Sequence, residues 1–109
     1  MDKYAVKLTK DALNDMEALY EHIAVWLQAP EIALEQYNRI ADAILTLESL
    51  PNRFGLFECE PERSMGIHRM IVDNYVVCYV VNSWVVTVTN VLYGASDIHT
   101  RLGEKRYNS

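Results

Sequence analysis

Apolar residues in the first half of the chain recur every three or four positions in two segments, which predicts two amphipathic helices. The first apolar face is formed by Leu13, Met16, Tyr20, Ile23 and Leu27. The second is formed by Ala33, Tyr37, Ile40, Ile44 and Leu47. Thr9 is placed to cap the first helix, and Pro30 to begin the second. Because only a couple of residues separate the helices, we expect an antiparallel hairpin.

The second half of the chain carries strand patterns instead. Leu50-Pro51-Asn52 should end the second helix, because proline disfavours helical backbone in the residue before it. An irregular loop at 52–66 leads into strands at 67–72, 75–81 and 84–92, and residues 4–8 form a short first strand. Asp73-Asn74 and Asn82-Ser83 are two-residue turns, so the last three strands form an antiparallel meander.

The turns also predict which side chains share a face of the sheet. The face expected to meet the helices holds His68, Met70, Val72, Tyr75, Val77, Tyr79, Val81, Trp84, Val86, Val88 and Leu92. The opposite face holds Ile67, Arg69, Ile71, Val76, Cys78, Val80, Thr87, Thr89, Val91 and Tyr93. This second face is too apolar to be left to water, which indicates a binding surface for another chain. A tail helix capped by Ser96 and ended by Gly103, with the loop, would cover part or all of it.

The fold class is therefore α+β: an N-terminal strand, an antiparallel helical hairpin packed on an antiparallel β-meander, and a short C-terminal helix. The 109 residues are 50% apolar, which predicts one domain over 1–109. No apolar run approaches the length of a membrane span, and the start does not read as a signal peptide, so we expect a cytoplasmic protein. Two cysteines and three dispersed histidines predict no disulfide framework, no metal site and no cofactor.

The net charge of −5 lies on the predicted helices. Residues 10–50 hold two basic side chains against eight acidic ones, whereas residues 51–109 hold six of each. A nucleic-acid-binding protein usually shows a basic stripe, and none is evident here, so we expect no direct DNA binding by the chain alone. A local cluster could draw on Arg53, Arg63, Arg69, Arg101, Lys105 and Arg106.

Several short pieces, in this order, resemble the RelE/ParE superfamily of bacterial toxins over nearly the whole chain. They are Ala24 to Trp26, Ala33, the helix end Leu47 to Pro51, Arg69 before Tyr75-Val76-Val77-Cys78-Tyr79, and Val91-Leu92-Tyr93-Gly94 with Asp97. The resemblance implies a toxin encoded beside a cognate antitoxin, which wraps a segment over the sheet and helices in a hetero-oligomer. RelE-type members cut messenger RNA in the ribosome, whereas ParE-type members poison DNA gyrase and are not enzymes.

The residues that RelE-type chemistry uses are mostly replaced. Arg69 matches a basic position of that group, but Val76, Ser96 and Leu102 stand where the group carries two arginines and a tyrosine. Basic groups hold the charge that develops on the phosphate, so losing several should leave little activity. The ending resembles ParE-type members, although Asn90 occupies a position that is often basic there.

We therefore expect a non-catalytic toxin of a type II toxin–antitoxin, or plasmid-stabilisation, module that inhibits growth by binding a protein target such as DNA gyrase. Two alternatives stay open: a ribosome-dependent mRNA endoribonuclease, and a degenerate toxin that only binds its antitoxin. Arg69 is the one catalytic candidate, and His68 is expected to be a packed histidine. Residues expected to bind the target or the antitoxin are Arg63, Arg69, Val76, Thr87, Thr89, Tyr93 and Ser96.

Overall fold

The computed structural model describes residues 3–58 and 60–94. Its strands are β1 (Ala5–Leu8), β2 (His68–Val72), β3 (Tyr75–Asn82) and β4 (Val85–Tyr93), and its helices are α1 (Lys10–Glu21) and α2 (Pro30–Leu45). The sheet order is β1-β4-β3-β2. The meander is antiparallel, as predicted, and β1 pairs with β4 in parallel, so the sheet is mixed. Both helices pack on one face of it, which confirms the predicted arrangement.

The first helix buries a different face from the predicted one. Ala12, Met16, Leu19 and Ile23 are buried, whereas Leu13, Tyr20 and Leu27 are 50%, 37% and 60% exposed. Two contacts with β4 fix this rotation. The Thr9 hydroxyl caps the helix by accepting from the N–H of Ala12 and donates to the carbonyl of Thr89. The Asp15 carboxylate, six residues after Thr9, accepts from the N–H of Val91 at 2.9 Å.

The second helix buries the predicted residues, and Tyr37 is half-buried beside them. It ends at Leu45, earlier than predicted, and passes through a 3₁₀ turn at Thr46–Glu48. The guanidinium of Arg53 donates to the carbonyls of Thr46, Ser49 and Leu50 and so satisfies this helix end. The Arg53 side chain therefore stabilises the end of the helix and does not belong to the predicted basic cluster.

A β-bulge in β4 changes the faces predicted for the end of that strand. Cys78 pairs with Asn90 and Tyr79 with Val88, so Thr89 is the extra residue. Beyond the bulge the alternation is reversed. Val91 joins the core under the helices, Tyr93 pairs with Tyr75 on the same side, and Leu92 lies on the second face. The predicted placements of Val91, Leu92 and Tyr93 were therefore wrong.

The turn between β3 and β4 also differs from the prediction by one residue. Asn82 pairs with Val85, which leaves Ser83 and Trp84 as the two turn residues, both with positive φ. Trp84 is 55% exposed and packs on Tyr4 with ring centroids 4.7 Å apart. It is thus a turn-tip residue rather than a member of the core face. The Asp73-Asn74 turn is as predicted.

The turn between β2 and β3 is tied to α2 by one carboxylate. Asp73 accepts from the side chains of Gln36 and Arg39 at 3.0, 2.9 and 2.7 Å. Hydrogen bonds from Gln36 and then from Arg39 lower the pKa of Asp73 below its ordinary value of 3.8. Because the folded protein holds this carboxylate more strongly as an anion, its contribution is fully present above pH 3.8 and is lost below it.

We expect Asp73→Asn to lower the free energy of unfolding by a constant amount at pH 5 and above. The difference from the wild type should shrink as the pH falls below 3.8, because the wild-type carboxyl then protonates as well. Urea unfolding followed between pH 2.5 and pH 6 measures this. Arg39→Gln should reproduce part of the same pH dependence, and a difference that stays constant to pH 2.5 would contradict the assignment.

Candidate interaction surfaces

The second face of the sheet, which points away from the helices, is partly covered by the loop before β2. Phe57 from this loop packs with Ile67, Val76, Cys78 and Leu92 in a separate small core. The backbone N–H of Phe57 donates to the carbonyl of Ile67 at 3.1 Å and fastens the loop to the sheet. The loop therefore covers part of the second face, a point that the sequence did not decide. Ile71 at the edge of this face stays 65% exposed.

Two basic side chains frame the part of the second face that remains open. Arg69 is exposed on the edge strand β2, and its backbone N–H donates to the carbonyl of Gly55. Lys7 is exposed on the opposite edge strand β1, where it pairs with half-buried Thr87. Three strand spacings separate them, roughly 14 Å. Lys7 was missed from the sequence, because only the β1–β4 pairing shows that it belongs to this face.

The other predicted site residues do not lie together on one surface. Arg63 is exposed in the loop, and its charge, after the hydrogen bonds from Ser64, contributes to lowering the pKa of Glu60. Val76 is buried beneath Phe57, so its side chain is not available at the surface. Thr89 is part-buried in the bulge.

The Thr89 hydroxyl donates to the carbonyl of Cys78, so this side chain supports the bulge. Ser96 and the predicted C-terminal helix lie outside the described residues, as do Cys59, Asp97 and Leu102. His68 is the packed histidine that was predicted. Its ring stacks on Tyr79, and its Nδ1 lies 2.7 Å from the carbonyl oxygen of Phe54.

Tyr93 faces a cleft of about 470 Å³ between the helix layer and the end of the sheet. This end cleft is lined by Asp15, Ala18, Leu19, His22, Ile23, Leu27, Gln36, Asn74, Tyr75, Val91 and Tyr93. Burial, and then the neighbouring Tyr93, raise the pKa of Tyr75. Its phenol is therefore protonated at neutral pH. The cleft combines apolar side chains with a few polar ones, which is typical of a binding site.

A second concave surface lies on the outer side of the helical hairpin. This hairpin groove is about 500 Å³ and is lined by Glu17, Tyr20, Glu21, Val25, Leu34, Tyr37 and Asn38. Beside it the chain continues from α1 through one π-helical turn at His22–Trp26. Val25, Trp26 and Leu27 at this turn are 62%, 76% and 60% exposed. The hairpin tip is therefore an apolar surface, and Trp26 is not a core residue.

Basic side chains are sparse on the strands that the structure describes. β3 and β4 carry no basic side chain, and Arg53 is committed to the end of α2. Arg69 and Lys7 lie on opposite edge strands of the sheet. Within 3–58 and 60–94 no group of three metal-ligating side chains comes together, and no helix there is long and apolar enough to cross a membrane.

An N-terminal strand, a helical hairpin and a meander that closes the sheet define the fold of RelE/ParE superfamily toxins. The chain belongs to the family described as ParE toxin of type II toxin–antitoxin system, parDE, whose model matches residues 6–98. It is therefore a ParE-type toxin of a type II toxin–antitoxin module, as the sequence indicated.

Solved structures of two systems share this fold. One is the chromosomal ParDE TA system from P. aeruginosa, with 21% identity and a TM-score of 0.71 over 84% of this chain and 97% of that one. The other is the RelBE2 toxin–antitoxin complex from Mycobacterium tuberculosis, with 21% identity and a TM-score of 0.59 over 85% of this chain and 93% of that one. No curated protein sequence matches the chain.

Proposed function

We propose that this toxin acts by binding a protein target, DNA gyrase, through the open part of the second face, and that it does not cut RNA. The observation that carries this proposal is the sparseness of cations on the sheet. Arg69 is the one arginine or lysine on β2, β3 and β4, and Lys7 lies on the opposite edge strand, whereas phosphate cleavage uses a close set of such groups. An exposed arginine beside apolar Ile71 suits recognition of a protein surface, where arginine is enriched among the residues that dominate affinity.

A cognate antitoxin protein holds the toxin inactive in the cytoplasm by covering its exposed apolar surface. The hairpin tip and groove support this part of the proposal, because a lone soluble domain rarely leaves so many large apolar side chains open. The two structural relatives are described as a ParDE TA system and as a RelBE2 toxin–antitoxin complex, which favours a protein partner here as well. The toxin would then contribute to stable inheritance of the plasmid or chromosomal region that encodes the pair.

We expect induction of this chain in a bacterium without its antitoxin to reduce viable counts and to raise a DNA-damage reporter. Co-expression of the neighbouring antitoxin gene should restore growth. With purified components, the chain should inhibit supercoiling by gyrase, and Arg69→Ala should weaken this inhibition about tenfold, because one lost charged contact at an interface is worth about 1.4 kcal/mol.

Arg69→Lys is the matched control, since it keeps the charge at an exposed position and should retain most of the inhibition. Cleavage of mRNA in translating ribosomes, abolished by Arg69→Ala while gyrase remains active, would instead establish the endoribonuclease. Normal growth at confirmed soluble expression would overturn both toxic actions in that host and leave a chain that only binds its antitoxin.

A further inference from the structure

The hairpin groove has an aromatic floor and apolar walls. Tyr20 of α1 and Tyr37 of α2 meet edge to face with ring centroids 6.1 Å apart. Val25 and Leu34 stand on either side and are 62% and 53% exposed. A surface of this kind, open to water and concave, gains free energy when another apolar surface fills it.

The exposed apolar residues continue along both helices from the groove. Leu13 lies seven residues before Tyr20 on α1, and Leu45 lies eleven residues after Leu34 on α2, so each pair shares one side of its helix. Leu13 and Leu45 are 50% and 61% exposed. Eleven residues of helix extend about 16 Å, which is three helical turns. The surface therefore has the length and the spacing that accept an amphipathic helix.

The edges of the groove are acidic. Glu17 and Glu21 line it on the α1 side. On α2, Glu31 and Asp42 lie three residues before Leu34 and four after Asn38, which places them along the same side of that helix. All four carboxylates are exposed. A partner helix meets negative charge on both flanks of its apolar stripe.

The basic residues of the hairpin do not offset this charge. The guanidinium of Arg39 is paired with Asp73 at 2.7 Å on the other side of α2. Lys10 stands in the first turn of α1, where Asp11 follows it directly. The groove itself is lined by carboxylates and no basic side chain.

We infer that the partner segment seated in the hairpin groove is an amphipathic helix with lysine or arginine on both flanks of its apolar stripe. Glu17 and Glu21 select the basic residues on one flank, and Glu31 and Asp42 select those on the other. This inference rests on the proposal that an antitoxin covers the chain, and it specifies the chemistry of the covering segment. The apolar stripe supplies most of the affinity, and the acidic edges supply the discrimination, because mismatched charges at an interface are unfavourable.

Two synthetic helical peptides with the same leucine stripe test this inference with the purified full chain. One peptide carries lysines on both flanks and the other carries glutamates, and fluorescence anisotropy gives the two affinities. We expect the lysine peptide to bind about 2- to 30-fold more tightly, since two exposed ion pairs are worth about 0.2–1 kcal/mol each. The double variant Glu17→Lys/Glu21→Lys should abolish this preference, because one flank of the groove is then basic and the other stays acidic.

The control variant Asp11→Lys/Glu58→Lys changes the net charge equally at two exposed positions away from the groove. It should keep the preference for the lysine peptide. Leu34→Asp should weaken both peptides, which places them in the groove. Equal affinities, or an equal loss of preference in the control variant, would overturn the inference. Peptide binding does not depend on toxicity, so this failure would be distinct from failure of the growth and gyrase tests.

Discussion

Tyr79→Ala is expected to lower the free energy of unfolding by about 3–5 kcal/mol, the range for removing a large aromatic side chain from a core. Tyr79 is fully buried at the centre of β3, and the ring of His68 stacks on it. Its hydroxyl donates to the carbonyl of Pro51 at 2.6 Å, so one side chain joins the sheet to the segment after α2. Urea unfolding followed by far-UV circular dichroism measures the loss.

Tyr79→Phe separates the hydrogen bond from the packing in the same experiment. It keeps the ring and leaves the buried carbonyl of Pro51 without this donor, which costs about 1–3 kcal/mol. Burial raises the pKa of Tyr79 to about 12, so the hydroxyl is protonated at the neutral pH of the measurement. A loss for Tyr79→Ala no larger than that for Tyr79→Phe would show that the ring contributes little.

Insertion of an alanine between Asn90 and Val91 is expected to destabilise the protein by about 4 kcal/mol or more. One further residue in β4 would shift Val91 to the second face and Leu92 toward the helices. Both side chains are now almost fully buried, and each site is shaped for its present occupant. The insertion also moves the N–H of Val91 away from the carboxylate of Asp15. Thermal and urea unfolding of the purified variant test this result.

Thr89→Ala is the matched control, because it keeps the number of residues in β4. It removes the hydroxyl that donates to the carbonyl of Cys78 at 3.3 Å, and we expect a loss of about 1 kcal/mol. If the insertion were no more harmful than this substitution, the register of β4 would not determine which side chains face the helices.

The periodicity of α1 shows where sequence reasoning was insufficient. Spacings of three and four were correct for a helix, but apolar residues occur on two adjacent sides of it. Leu13 and Tyr20 fit the predicted face, whereas the sheet buries Ala12 and Leu19. The spacing of apolar residues cannot distinguish which of these two sides is buried. The choice comes from contacts with β4, which are more than seventy positions away in the sequence.

The candidate site was predicted in part for the same reason. Arg69 and Thr87 lie on the second face as expected. The bulge does not affect either residue, because Arg69 belongs to β2 and Thr87 precedes the bulge in β4. Tyr93 follows the bulge and lies in the end cleft instead. A bulge has no strong local signal when the inserted residue is a threonine among valines. The roles assigned to these residues in binding stay predictions for the variants described above.

By itself the sequence determined the helical hairpin, the meander, the cap at Thr9, the turn at Asp73 and the toxin family. Each of these features depends on residues that are close in the sequence or on the order of short motifs along the chain. The tertiary structure decided which side of α1 is buried, which face Tyr93 occupies and how Phe57 covers the second face. These features depend on contacts between distant segments, whose free energies exceed the small differences between alternative local arrangements.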